Sequence, residues 1–174
     1  MSKVRCVAIG GIFSALSIII IFMSLFMPLT YLWVALSGFP ILLIVIEAGR
    51  KTAFCAYIGV TLLCFVLIPN MLRTVEFALF IGFYPIIKMK LDSLDRTWFR
   101  RVIKLVLFFV CAVVNLTISV HMLGVSVAFE HIHIAVPVGA MMISYIGYDY
   151  LLAYFYHYYV TKLRSKIMTH VSGK

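Results

Sequence analysis

From Cys6 to Ile46 not one residue of this chain is charged. A run of that length cannot face water, and it holds two segments of the roughly 20 apolar residues that a helix needs to cross a hydrocarbon core of about 30 Å. The rest of the chain has the same character. It is 64% hydrophobic and 12% charged, where a soluble domain is about 25% charged. The net charge of +9 would suit nucleic acid, but a nucleic-acid reader spreads Lys and Arg over a folded surface. Here the charges punctuate apolar runs, so membrane lipid is the expected environment and no nucleic acid partner is expected. The chain reads as an all-α integral membrane protein with a single transmembrane domain, residues 1–174.

The spans follow in order. Lys3 and Arg5 precede an apolar run in the manner of a signal peptide, but no small-x-small cleavage site follows it directly, so Val7 to Phe26 reads as an uncleaved first span. Pro28 closes it. Tyr31 to Ile46 is the second span, and Pro40 within it predicts a kink whose freed carbonyl a neighbouring helix or water must satisfy. The third runs from Thr52 to Pro69, and Asn70 to Glu76, with Arg73, is a short polar connection. Gly82-Phe83-Tyr84-Pro85-Ile86-Ile87-Lys88 then leads into a basic segment up to Lys104 and divides the chain into two similar halves. Only eleven uncharged residues separate Glu76 from Lys88, about 16 Å of helix at roughly 1.5 Å per residue. That fourth segment either re-enters or spans with Lys88 and Lys90 snorkelling at one end. Val102 to Phe129 is the fifth span, Glu130 to His133 an external turn, and Val136 to Val160 the sixth.

Charge bias chooses between the two readings of the fourth segment. If it spans, Lys3, Arg5, Arg50, Lys51, the six basic residues of the central segment and Lys162, Arg164, Lys166 and Lys174 of the tail all share one face, leaving Arg73 alone on the other. The positive-inside rule then gives six transmembrane helices with both termini cytoplasmic. The expected location is the bacterial cytoplasmic membrane.

Candidate chemistry is sparse. Asp149 falls near the middle of the sixth span, where an ionisable group costs about 2.5 to 3.5 kcal/mol on insertion scales and marks a functional position by default. Asn115 is expected at the same depth on the fifth helix, either as an interhelical hydrogen-bond partner of Asp149 or as part of a polar cavity floor. Arg73 and Glu76, at i and i+3, pair with each other or reach a ligand. Glu130, His131 and His133 match no established zinc pattern, and the four cysteines show no C-x-x-C spacing, so they read as packing residues and no metal or cofactor is expected. On the first helix, Cys6, Gly10 and Ser14 form one small-residue row and Gly11 and Ala15 another. Such rows let helices approach closely, within the chain or across to a partner.

This layout, with cytoplasmic termini, a small-residue row opening the first helix and the stretch from Gly82 to Lys88, resembles the substrate-binding S components of bacterial energy-coupling factor transporters. The resemblance covers the whole chain in layout and little of it in motif. In that family an Ala-x-x-x-Ala row on the first helix meets a membrane-embedded coupling subunit, and its nearest counterpart here is Gly11-x-x-x-Ala15, so the resemblance implies partner docking at Gly11 and Ala15. It also implies capture of a vitamin-like small molecule from the outer side, powered by separate ATPase subunits, and by position it nominates Arg73, Glu76, Asn115, His121, Tyr145 and Asp149 for substrate binding. No G-x-x-x-x-G-K-[ST] loop is present to cradle nucleotide phosphates. An enzyme using His121 and Asp149 as acid and base is disfavoured, because no nucleophile is paired with a base and no H-E-x-x-H motif occurs; the chain is expected not to be an enzyme. The alternative is a non-catalytic membrane scaffold subunit of a cell-envelope assembly complex.

Overall fold

A computed structural model describes residues 3–93, 96–123 and 135–163, and every regular element among them is helical. The uncharged amino-terminal run folds into α1, Lys3–Met23, α2, Thr30–Leu36, and α3, Gly38–Ala48. Leu29, in the left-handed region at φ 58°, precedes α2, and Gly49, at φ 86°, turns the chain from α3 into α4, Arg50–Leu67. Next comes a helix interrupted twice: α5, Met71–Glu76, a π-helical turn, Phe77–Ile81, and α6, Tyr84–Leu91. Two long helices complete the fold, α7, Thr97–Leu123, and α8, Ala135–Tyr158, the latter extended by a second π turn, Tyr159–Leu163. Five helical stretches are long and apolar enough to cross a membrane: Val4–Met23, Thr30–Ala48, Arg50–Leu67, Thr97–Val120 and Val136–Lys162. Their outward faces carry large apolar side chains such as Val4, Val66, Ile143 and Tyr154, a surface compatible with a multi-pass membrane protein.

The second span does break ahead of Pro40, but at Ser37. A proline lacks the N–H that would bond the residue four positions back and its ring crowds that carbonyl, so the disturbance falls upstream, between Leu36 and Gly38. The neighbouring helix touches the break at the carbonyl next to the Leu36 O that the proline frees. The Ser17 hydroxyl of α1 donates to the Ser37 carbonyl at 2.7 Å, while the Ser37 hydroxyl turns back onto Val34 O at 2.5 Å.

Packing places the interrupted fourth segment at the centre. α1, α3 and α4 pack on one another, α7 packs on α8, and the fourth segment lies between these groups, with α6 against α3 and α4, and α5 and the first π turn against α7. From Thr74 to Leu91 only Lys90 is exposed. Each break in this segment frees carbonyls, and three neighbouring helices each supply a donor to one of them. Gly82 N–H bonds back to Phe77 O rather than to Ala78 O, and the Tyr57 hydroxyl of α4 takes Ala78 O at 2.7 Å. The Cys111 thiol of α7 reaches Leu79 O at 3.7 Å. Pro85 cannot donate to Ile81 O, and the Tyr148 hydroxyl of α8 does so at 3.1 Å. Broken helices survive in lipid only when side chains restore the lost bonds in this way.

Candidate functional site

Two glycines let these repairs happen. A Cβ on Gly38 would collide with the Tyr148 hydroxyl and lie 2.8 Å from Ile81 O, so the α2–α3 break is also where α8 reaches the π turn. A Cβ on Gly82 would lie 2.8 Å from the Phe77 ring and 2.9 Å from Tyr57.

Around the fourth segment the aromatic residues form a layer. Phe80 stacks on Tyr145 at a centroid distance of 3.9 Å and on Tyr84 at 4.9 Å, and Phe108 meets Tyr84 edge-on at 5.3 Å. Tyr148 lies beside both Phe80 and Tyr84. This layer separates two polar regions.

On the Asn70 side of the layer is a cavity of about 320 Å³ between α2, the π turn and α8, floored by Phe80, Tyr145 and Tyr148 and bordered by Glu76. A smaller space of about 150 Å³ shares Tyr31, Glu76 and Met141 with it and extends to Asn115 and Ser119 of α7. The buried stripe of α7, Phe108, Ala112, Asn115 and Ser119, advances by three or four residues, which is why a single face carries both the layer and the cavity polar groups. The Ser119 hydroxyl donates to Asn115 O at 2.8 Å and reaches the Asn115 side-chain oxygen at 3.3 Å.

On the Ser93 side is an ion network. Asp149 accepts from the Tyr84 hydroxyl at 2.5 Å and is salt-bridged to Lys88, whose amine also donates to the Asp149 backbone carbonyl at 3.1 Å. Lys104 bridges Asp149 at 3.2 Å and Asp92 at 2.8 Å, and Lys88 lies 3.5 Å from Asp92. Two lysines and two aspartates thus alternate, drawn from α6, the turn after it, α7 and α8. The Lys88 side chain is only 4% exposed. A charge so buried costs several kcal/mol unless paired. A further cavity of about 430 Å³ adjoins the network, lined by Lys88, Asp92, Ser93, Tyr156 and His157 among others.

Of the positions nominated from sequence, Glu76, Asn115 and Tyr145 come together at the cavity. Asp149 does not join them. The expected Asn115–Asp149 bond is replaced by the Tyr84, Lys88 and Lys104 contacts, because the α7–α8 register sets Lys104 opposite Asp149 and Phe108 opposite Tyr145. Asn115 lies eleven residues beyond Lys104 on α7, about 16 Å along the helix at roughly 1.5 Å per residue. Arg73 pairs neither with Glu76 nor with the cavity. Its guanidinium donates at 2.7 Å to Ser24 O, just past the end of α1, where a cation satisfies terminal carbonyls. Lys88 does not snorkel; it turns inward. The side chain of His121, together with Glu130, His131 and His133, lies outside the described residues. Gly11 and Ala15 are both exposed, and nothing lies within 4 Å of a Cβ placed on Gly11. Gly10 instead packs inward against Thr52 of α4, 3.3 Å from where its Cβ would be.

Tyr84, Asp92 and Lys104 were missed as network members. For Lys104, as for Lys88, the signal was a charge count: a partly buried Asp149 calls for cations, and these two lie on the helices that flank it; nothing in the sequence marked Tyr84 or Asp92. No known protein family, curated protein or solved structure matches this chain.

Proposed function

We propose that this chain is the substrate-capture membrane subunit of an uptake transporter for a vitamin-like small molecule, working with a separate membrane coupling subunit and ATPases. The observation that carries the reading is the divided interior: a cavity with a few convergent polar groups on one side of an aromatic layer, and an ion network on the other. Small-molecule sites are concave, mostly apolar and of a few hundred Å³, and ionisable groups kept within a membrane domain mark substrate paths. A scaffold needs neither an interior cavity nor buried charge.

The topology belongs to the same proposal. Residues 71–91, taken end to end, rise about 30 Å at roughly 1.5 Å per residue, enough for a sixth crossing despite its charge and its breaks. With both termini cytoplasmic, the Glu76 cavity opens outward and the network faces the cytoplasm. In a background lacking the native cysteines, a cysteine at Asn70 is labelled from outside and one at Thr97 from the cytoplasm; external labelling at Thr97 removes the six-span arrangement. Gly11 and Ala15, open and small, are the docking row for the coupling subunit.

The direct test of capture is purification of the chain from its native host and mass spectrometry of what it releases on denaturation. A small molecule in stoichiometric amount supports capture. Its absence, with envelope-assembly proteins retained instead, favours the scaffold.

A further inference from the structure

The cavity has a charge imbalance that bears on what it holds. Glu76 is the only charged side chain bordering either of its two parts among the described residues, and it takes part in no ion pair or hydrogen bond among them. The nearest basic residue in sequence, Arg73, is spent on Ser24 O. Among the described residues, the ion pairs of Lys88, Lys104, Asp92 and Asp149 lie beyond the aromatic layer. The floor is a stacked aromatic pair, Phe80 on Tyr145, and the side space offers the Asn115 carboxamide.

From this we infer that the cavity takes a small organic cation: a flat apolar body that lies on the Phe80–Tyr145 stack and carries an amine or similar cationic group toward Glu76. A carboxylate in surroundings of low dielectric favours a cation strongly and repels an anion of the same shape. Aromatic faces add their own attraction for cations. The Asn115 amide supplies a hydrogen bond that orients the body without altering the charge balance. An acidic substrate would place two like charges together, with no basic side chain among the described residues that line the cavity to relieve them. The inference rests on the capture reading and specifies its substrate class.

Three probes sharing one ring system separate charge from shape: tryptamine, the neutral 3-propylindole and indole-3-propionate. Saturable binding of radiolabelled tryptamine is measured on the detergent-purified full chain, with the other two as unlabelled competitors. Tryptamine is expected to bind, 3-propylindole to compete at least tenfold more weakly than unlabelled tryptamine, and indole-3-propionate not to compete. Glu76→Gln, which keeps size and removes charge, should weaken tryptamine at least tenfold and erase the difference between tryptamine and 3-propylindole. Tyr145→Phe, which keeps the stack, should leave the cation preference in place and shows that the altered cavity still folds. The assignment is overturned by any of three results: no saturable tryptamine binding to the wild type, equal competition by the anion, or unchanged tryptamine affinity in Glu76→Gln. The fate of the capture reading is read separately from the molecule released by the native preparation. A released anion or neutral compound removes the cation class and leaves capture standing, whereas no released molecule removes both.

Discussion

α1 and the fourth segment are both helical, and they solve opposite problems. α1 is an unbroken apolar helix whose outward side, from Val4 to Ile19, is bare. It contributes Ile21, Ser17 and Gly10 to the interior and packs Phe13 and Ile18 against the core. The fourth segment is short in apolar length, broken at the π turn and again before Pro85, and carries Glu76 and Lys88. It is nevertheless almost fully enclosed, with Lys90 the one exposed residue from Thr74 to Leu91. Hydropathy ranks the two in the wrong order for burial. A lipid-facing helix needs only apolar side chains, whereas a helix that keeps charges and open carbonyls must be surrounded by protein that answers them. The polar residues of a membrane protein therefore point to its centre more reliably than the apolar ones do.

The comparison breaks most visibly if the ion network is removed from one side. Asp149→Ala leaves Lys88 buried with Asp92, at 3.5 Å, as its remaining anion, and a buried pair broken at one partner costs about 3 to 5 kcal/mol. Unfolding by SDS titration should register a loss of that size, with Asp149→Asn recovering only part of it because the amide supplies no charge. The double variant Lys88→Met with Asp149→Leu should regain most of the stability, since replacing a buried pair by packed apolar groups is often neutral. A wild-type-like Asp149→Ala would mean that Lys88 does not depend on this carboxylate.

The next test concerns the repairs to the broken helix. Tyr148→Phe removes the hydroxyl that donates to Ile81 O and should cost about 1 to 3 kcal/mol, the cost of an unsatisfied buried acceptor. Gly38→Ala pushes a methyl into the same hydroxyl and carbonyl, and overpacking of this kind also costs about 1 to 3 kcal/mol. The two should not add, because they share one contact. With the hydroxyl gone, the alanine is left opposing only the π turn. Additive losses would show that Gly38 and Tyr148 act independently and that the α2–α3 break does not serve α8.

The sequence carried the helical class and the long apolar helices compatible with a membrane, since apolar run length is a local property. Pro40 foretold a break in the second span, which falls at Ser37, and the Ser17 hydroxyl reaches Ser37 O rather than the Leu36 O that the proline frees. The pairing of Asp149 was not legible. It depends on the α7–α8 register, and a shift of three turns exchanges Asn115 for Lys104 without altering the apolar pattern of either helix. Glu76, Asn115 and Tyr145 were found by position, yet their meeting depends on the π turn, and nothing in Phe77–Ile81 marks an extra residue in the turn. Arg73 looked like a ligand contact because its partner is a backbone carbonyl, which has no sequence signature.

The smallest expected effect lies on α1 and turns on adjacent residues. Gly10 and Gly11 are equivalent by composition and differ by about 100° around the helix, at 3.6 residues per turn. That rotation sends one against Thr52 and the other into open space. Gly10→Leu should destabilise the isolated chain by about 1 to 3 kcal/mol, since a branched side chain must push Thr52 and α4 away. Gly11→Leu, alone or with Ala15→Leu, should change stability by no more than about 0.5 kcal/mol, as substitutions at uncontacted surface positions do. A null effect on stability is what makes the Gly11 and Ala15 pair informative about partners. If a coupling subunit packs on this row, leucines there hold the two backbones apart, so co-purification should fail while the melting temperature and tryptamine binding of the isolated chain remain those of the wild type. Retained co-purification would assign the outward row to lipid alone and leave α1 with no contact beyond α2, α3 and α4 to explain its small residues.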